Sequence, residues 1–284
     1  MQYQKINALS LFDGISCGQI ALQRAGIKVN NYFASEIDKH AIKVTQHNWP
    51  NTIQLGDVTK WREWNIEWES IDLLCAGFPC QAWSVAGKQQ GTNDPRGALA
   101  ITLFELFTFL KEKNPKLKFL FENVKMKKEH LTYLNNLFGV EPIEINSALV
   151  SAQNRKRFYW TNIPNIKQPE DRNIILNSIL ENREFDKEFY EDKFKQHAPV
   201  FYQKEKYKCL VSQGGGRTKE RAVCNEEGKW RLLTRSEGEK LQTVPAGYTE
   251  PISENQTFKC LGNGWTVDVI AHIFSFLPQE FKNG

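Results

Sequence analysis

An α/β fold with a mostly parallel sheet and a small inserted domain is what this sequence predicts, on three observations. Short apolar runs alternate with amphipathic stretches from residue 7 to about 163, the rhythm of βαβ units. From residue 164 to about 230 that rhythm stops, and charged and turn residues take over. Thr266 to Leu277 then forms an apolar stretch able to return as a final helix and pack on the sheet. The expected division is a main domain of residues 1–163, completed by 256–284, with residues 164–255 inserted between them.

The strands follow in order. Ala8 to Phe12, Asn31 to Glu36, Thr52 to Leu55, Ile71 to Ala76, Lys118 to Glu122 and Pro142 to Ile145 are the expected six, with Arg157 to Thr161 as a seventh. The unbroken apolar character of Ile71 to Ala76 is that of a strand covered on both faces. Helices connect them, notably Gly18 to Ala25 and Gly97 to Lys113. Trp61, Trp64 and Trp68 fall on one face of a helix, read here as core packing and not as a platform for stacking bases. Within the insert, Lys167 to Asp192 has four basic and eight acidic residues, whereas Lys193 to Arg231 has ten basic and four acidic. The first piece reads as solvated surface; the second suits either solvated surface or phosphate contact.

Composition narrows the class. With 284 residues, 40% of them hydrophobic and 25% charged, the chain is an ordinary globular protein and not a disordered or collagen-like one. No uninterrupted apolar run reaches the roughly 18 residues of a membrane span, so a soluble, cytoplasmic protein is expected. The cysteines form no Cys-x-x-Cys pair and the histidines have no zinc-finger spacing, so no metal is expected. A net charge of +4 permits a nucleic-acid partner without requiring one.

The chemistry-bearing residues sit where strands end. Phe78-Pro79-Cys80-Gln81 follows the strand at Ile71 directly, placing a cysteine in the crevice where open α/β sheets bind ligands. A free cysteine is more often a small buried hydrophobe, so Cys80 gains weight from its neighbours. Leu11-Phe12-Asp13-Gly14-Ile15-Ser16-Cys17-Gly18 ends the first strand in a glycine-bearing turn that lets the backbone approach a ligand. Glu36 closes the second strand, where a carboxylate can accept from both hydroxyls of a ribose. Asp57, in Gly56-Asp57-Val58 after the third, suits an exocyclic adenine amine. Each acid alone is equally a turn or cap residue. The full Gly-x-Gly-x-x-Gly is missing, which favours a nucleoside cofactor without pyrophosphate. Glu122, in Phe121-Glu122-Asn123-Val124, ends the next apolar strand and can donate a proton. Gln153-Asn154-Arg155-Lys156-Arg157 precedes the aromatic strand Phe158-Tyr159-Trp160 and, taken alone, reads as an exposed basic turn.

In this order the motifs resemble the cytosine-C5 DNA methyltransferase family nearly end to end. The resemblance is carried by Phe12-Asp13-Gly14, Glu36, Asp57, Pro79-Cys80-Gln81, Glu122-Asn123-Val124, Gln153-x-Arg155-x-Arg157, the Arg231 to Pro245 segment and Gly262-Asn263-Gly264. Leu9 to Gly14, Asn162-x-Pro164 and Gly264-Trp265 look most like the animal de novo branch, while Pro-Cys-Gln is the bacterial and phage form. Two departures stand out: Gly262-Asn263-Gly264-Trp265 replaces the usual bacterial Gly-Asn-Ser-Val, setting Trp265 against the cofactor, and the variable segment is short.

The resemblance implies a Rossmann-like sheet of the S-adenosylmethionine-dependent methyltransferase type with a small target-recognition domain. It implies methyl transfer from S-adenosylmethionine to C5 of a flipped-out cytosine in duplex DNA, leaving S-adenosylhomocysteine. Cys80 would attack C6, Glu122 would serve N3, and Arg155 would bind O2 with Gln153 and Arg157 as positioning partners. The cofactor would be held by Phe12, Asp13, Gly14, Ile15, Gly18, Glu36, Ile37, Asp57, Val58, Gly77, Pro79, Leu99, Asn263, Gly264 and Trp265. The segment from Gln81 to Arg96 would close over the base, with Ser84 near its phosphate, Gln213 filling the vacated stack, and Arg217, Lys219 and Arg221 on phosphates or guanine edges. A monomer acting on double-stranded DNA is expected, with a cognate restriction endonuclease as a candidate partner and no membrane association. A tRNA methyltransferase is the nearest rival, but its Cys-Phe-Thr signature does not occur in this chain. A non-catalytic DNA-binding regulator would have no use for intact Cys80, Glu122 and Arg155. A small-molecule methyltransferase would leave the basic insert without a role.

Overall fold

The structure, a computed structural model, describes residues 5–79, 98–185, 200–201, 205–212 and 221–282. The chain runs β1 (Ile6–Leu11), α1 (Cys17–Arg24), β2 (Val29–Ser35), α2 (Lys39–Asn48), β3 (Ile53–Gln54), β4 (Ile71–Gly77), α3 (Ala98–Lys113), β5 (Lys118–Val124), α4 (Lys128–Phe138), β6 (Ile143–Asn146) and β7 (Lys156–Thr161). These seven strands form one sheet in the order β3-β2-β1-β4-β5-β7-β6. All neighbours from β3 to β5 are parallel, while β7 runs antiparallel to both β5 and β6. Every strand expected from the sequence is present.

The period-2 alternation of the strands divides the core into two layers. Ala8 on β1, Leu73 and Cys75 on β4, and Leu120 on β5 face one cluster. Leu9 and Leu11, Leu74 and Ala76, and Phe119 and Phe121 face the other, which α3 and α4 cover through Leu103, Leu106, Leu134 and Phe138. The expected return of the C-terminal helix is observed: after β8 (Val200–Phe201), β9 (Ala222–Cys224), β10 (Trp230–Leu232), α5 (Arg235–Leu241) and α6 (Glu254–Asn263), α7 (Val267–Phe274) joins α1 on the first face. Arg24 Nη1 on α1 meets Asp268 Oδ1 on α7 at 2.6 Å and pins the two helices together.

One expectation about packing is corrected. Trp61, Trp64 and Trp68 do not share a helix: they lie on and between two short 3-10 turns, because Trp64 takes an extended backbone (ψ 130°) that ends the first turn. Their packing role holds, with Trp61 edge-on to Trp68 at 5.8 Å and against Phe109 at 5.2 Å. The last part of the expected insert, residues 164–255, packs against the main core. Leu241, Val244, Tyr248 and Ile252 already belong to the core shared with α1 and α7, and Tyr248 Oη donates to the Ile15 carbonyl at 2.7 Å. Charge and turn content hid this return, since these apolar residues are scattered among polar ones.

The insert contributes the small sheet β10-β9-β8, and its Val223 and Leu233 join the same core. It is locked to α5 by one carboxylate. Thr234 caps α5 in a capping box with Glu237, whose fully buried side chain also receives Arg231 Nη2 at 2.7 Å, Arg231 Nη1 at 2.9 Å and the Glu181 N–H at 2.7 Å. Glu237→Ala removes the cap and strands a buried guanidinium, so it is expected to cost about 3–5 kcal/mol, read as a drop in the urea unfolding midpoint.

Candidate active site

The carboxyl ends of β1 to β5 open into one cleft of about 320 Å³. It straddles the boundary between β1 and β4, where the strand order reverses, which is the place open α/β sheets bind ligands. The cleft is lined by most of the residues expected at a cofactor: Phe12, Asp13 and Gly14 after β1, Glu36 and Ile37 after β2, Asp57 and Val58 after β3, Gly77 and Pro79 at β4, Leu99 on α3, and Asn263, Gly264 and Trp265 between α6 and α7. Glu122, Arg155 and Arg157 line its other end. Ile15 and Gly18 do not line it. Ile15 is buried in the core, and Gly18 lies against the Tyr32 hydroxyl, 2.7 Å from where a β-carbon would stand. Asp38, Asn123 and Cys260 line it without having been singled out.

Three strand-end acids behave differently. Glu36 accepts from the Ile37 and Asp38 N–H groups at Oε1 and from Gly14 N–H at Oε2, all at 2.8 Å, so the first two strand ends are tied together. A carboxylate has about four acceptor positions, which leaves capacity toward the cleft. Asp57 Oδ1 caps the following turn through the Thr59 N–H and hydroxyl, each at 2.9 Å, and the backbone bond is the main reason its carboxyl lies below the usual range. Asp13 accepts from the Tyr32 hydroxyl at 2.7 Å and from Ser16. Burial outweighs these hydrogen bonds and pushes Asp13 up to about 6. Because the folded protein therefore holds this proton more tightly than the unfolded chain, the group costs stability as pH rises from about 4 to 6. Asp13→Asn is expected to flatten that slope in urea midpoints measured across pH 4–7.

The base of the cleft is organised by Glu122. In the parallel register Glu122 lies beside Gly77, so the carboxylate is level with the end of the strand that leads to Cys80. Glu122 Oε1 is ion-paired with Arg157 Nε at 2.9 Å, and Oε2 accepts from Trp265 Nε1 at 3.2 Å. Asn123, next in the chain and buried, donates from Nδ2 to the Phe78 carbonyl at 3.2 Å and so holds the turn that precedes Cys80. Its signal in the sequence is its place in the Glu-Asn-Val motif. Cys80 itself, with Gln81, Ser84, Arg96, Gln213, Arg217 and Lys219, lies outside the described residues.

The two arginines line the cleft but make different contacts. Arg155 is almost wholly buried and spends its guanidinium on the chain, donating from Nη1 to Leu210 O at 2.8 Å and from Nη2 to Gly262 O at 3.1 Å and Gly264 O at 2.9 Å. Arg157 is the guanidinium that faces Glu122. Gln153 is equally internal, bonding Leu241 O at 2.6 Å, Gln242 Oε1 at 2.9 Å and the Leu210 N–H at 3.1 Å. These residues stitch the Gly262-Asn263-Gly264 turn to the segment at Leu210. Glycine is required at 262, where a β-carbon would sit 2.3 Å from the Val211 carbonyl carbon. Arg221, expected at DNA, is also turned inward: it pairs with Glu254 at 3.0 Å and lies 4.4 Å above the Phe258 ring. Burial against an aromatic face and a carboxylate gives it a packing role.

Burial pushes the Cys17 and Cys260 thiols up to about 12, which keeps them protonated and poor nucleophiles. Cys209 differs: burial raises it, but Arg155 and Arg157 together outweigh that and hold it below the ordinary thiol value. It contacts both guanidiniums, at 3.2 and 3.6 Å, without lining the cleft. Among the described residues no cluster of His, Cys, Asp and Glu is arranged to hold a metal ion, and no helix is long and apolar enough to cross a membrane.

Known proteins place this architecture. The chain is 32% identical to the type II methyltransferase M1.ScrFI of Lactococcus lactis subsp. cremoris, over 94% of this chain and 76% of that protein. It is 30% identical to the type II methyltransferase M.HpaII of Haemophilus parainfluenzae, over 94% and 87%. The solved structure of the Entamoeba histolytica methyltransferase EhMeth superposes with a TM-score of 0.77 at 18% identity, covering 99% of this chain and 100% of that one, which is a likeness of fold. The family model for C-5 cytosine-specific DNA methylase matches residues 6–195 and 143–278. With that match spanning the sheet, the cleft and the return of the C-terminal helices, the chain belongs to the C-5 cytosine-specific DNA methylase family.

Proposed function

We propose that the protein methylates C5 of a cytosine flipped out of duplex DNA, with S-adenosylmethionine as donor and S-adenosylhomocysteine as product. The observation that carries this reading is the Glu122–Arg157 pair at the floor of the cleft, beside the strand end from which Cys80 follows two residues after Phe78. The cleft suits the cofactor's shape and chemistry. Ile37, 74% exposed, and Val58, buried, both line the cleft and offer apolar surface for the faces of a purine. Glu36 keeps acceptor capacity for a ribose hydroxyl. When bound, S-adenosylmethionine supplies the methyl group that C5 takes up.

The residues of the chain do the rest. The Cys80 thiolate adds to C6, forming a carbon–sulfur bond and pushing the ring electrons toward C5. Glu122 delivers a proton or a hydrogen bond to N3, so negative charge does not accumulate on the ring. Arg157 is the guanidinium placed to reach O2, while Arg155 and Gln153 hold the frame behind it. After C5 is methylated, N3 returns its proton to the Glu122 carboxylate, a water held in the site removes the C5 proton, and that electron pair restores the C5–C6 double bond and expels Cys80 as the thiolate. The target has to leave the stack to reach this pocket. Gln81, Ser84, Arg96, Gln213, Arg217 and Lys219 are the residues assigned to DNA, with a recognition domain over residues 164–255. The relatives' type II designation supports a restriction–modification role with a cognate endonuclease, and we infer a monomer acting in the cytoplasm.

Incubation with methyl-labelled S-adenosylmethionine and unmethylated mixed-sequence duplex DNA is expected to place label on cytosine C5; cofactor binding with no transfer to DNA would sink the reading. Glu36→Ala is expected to weaken S-adenosylmethionine binding by about 10-fold to 100-fold, as loss of charged hydrogen bonds does, with DNA affinity little changed. Titration calorimetry with each ligand separates the two.

A further inference from the structure

Trp265 stands where the two halves of the cleft meet. Its indole crosses the floor between α1 and the ends of β4 and β5: a β-carbon at Gly77 would fall 2.7 Å from Nε1, and one at Gly18 would fall 3.7 Å from Cζ3. Only the bare backbone of Gly77 lets the ring lie so low. The ring is almost wholly buried, and its backbone is held from behind, because Arg155 and Gln242 both donate to the preceding Gly264 carbonyl, at 2.9 and 3.3 Å. From this fixed platform the indole N–H points at Glu122 Oε2, 3.2 Å away.

From this geometry we propose that Trp265 is a positioning residue for Glu122, through which the cofactor half of the cleft sets the carboxyl group of the base half. An indole N–H can donate and cannot accept. Donation to Oε2 favours the unprotonated oxygen there, which makes Oε1 the preferred seat of the proton delivered to cytosine N3. Oε1 is the oxygen now paired with Arg157, and transfer of that guanidinium onto the base frees it. The proton then passes from Oε1 to N3 as the Cys80–C6 bond forms, and Glu122 is left as a carboxylate stabilised by the same indole. The bacterial Gly-Asn-Ser-Val pattern has no such donor at this position, so the device belongs to the Gly264-Trp265 form of the turn.

This rests on the assignment of Glu122 as the acid, and the test separates the two ideas. Trp265→Phe keeps an aromatic ring and removes the N–H. Its kcat for methylation of duplex DNA is expected to fall by about 10-fold, with S-adenosylhomocysteine affinity by calorimetry within about 3-fold of the parent. In the Glu122→Gln background the same change is expected to cost less than about 2-fold, because the two residues act as a unit. If Glu122→Gln alone leaves kcat intact, the acid assignment falls; if Glu122→Gln is impaired but Trp265→Phe is not, or the two losses multiply, the coupling falls. A loss confined to the cofactor KM also overturns it. Should Trp265→Phe fail to fold, the indole 1H–15N resonance of Trp265 in the parent protein decides: it is expected to move upfield on Glu122→Gln, and an unmoved signal overturns the proposal.

Discussion

Cys80→Ala is expected to abolish methyl transfer, lowering single-turnover rates on duplex DNA by on the order of 10^4-fold or more, with S-adenosylmethionine affinity nearly unchanged. C5 of cytosine is a weak nucleophile within an aromatic ring, and only addition at C6 gives it enamine character. The other thiols are poorly suited to stand in: burial raises Cys75 and Cys224, and neither lines the cleft. Cys17 and Cys260 are held protonated by burial, and Cys209, although kept low by its arginines, packs behind them and outside the cleft. DNA carrying 5-fluorocytosine offers a direct check, because fluorine at C5 cannot leave as the proton does and the Cys80–C6 bond persists. The parent is expected to form a denaturant-stable complex and the variant none. A complex surviving in Cys80→Ala would move the nucleophile elsewhere.

Glu122→Gln is expected to lower kcat by about 10^2–10^4-fold while preserving the fold. Glutamine keeps the volume, and its single carbonyl oxygen can still accept from Trp265, so that contact across the cleft floor is kept. What it loses is the acidic proton for N3 and the charge opposite Arg157. The loss is expected in kcat more than in the KM for DNA, since the proton is needed only as C6 is attacked. A variant with the parent's kcat and a raised KM would reassign Glu122 to binding.

Much of the fold was legible because βαβ units write themselves into a sequence at two periods. The buried strands at Ile71 and Lys118 are near-continuous apolar runs, and only residues covered on both faces tolerate that. Residues at strand ends were legible for the same reason: Asp13, Glu36, Asp57 and Glu122 each follow an apolar run, and a parallel sheet sends all such ends to one side. The insert was not legible. Its strands β8, β9 and β10 have two or three residues each, too short to show a period, and its return at Thr234 is signalled by a capping box within a charged stretch. The inward packing of Arg221 was not legible either, because charge in a sequence does not say whether a guanidinium faces solvent or a ring.

The sequence by itself determined the sheet, the line of acids along its carboxyl edge, and the order of motifs that carries the chemistry. What only the tertiary structure decided is which distant groups share those strand ends. Arg157 reaches Glu122 because β7 runs antiparallel beside β5, so that its first residues lie against the last of β5. Trp265 reaches it because α6 and α7 fold back over α1 and the bare Gly77 admits the indole. The physical reason is that periodicity records burial along one segment, whereas these contacts depend on strand direction and on the return of segments more than a hundred residues away, as the Trp265–Glu122 separation of 143 residues shows.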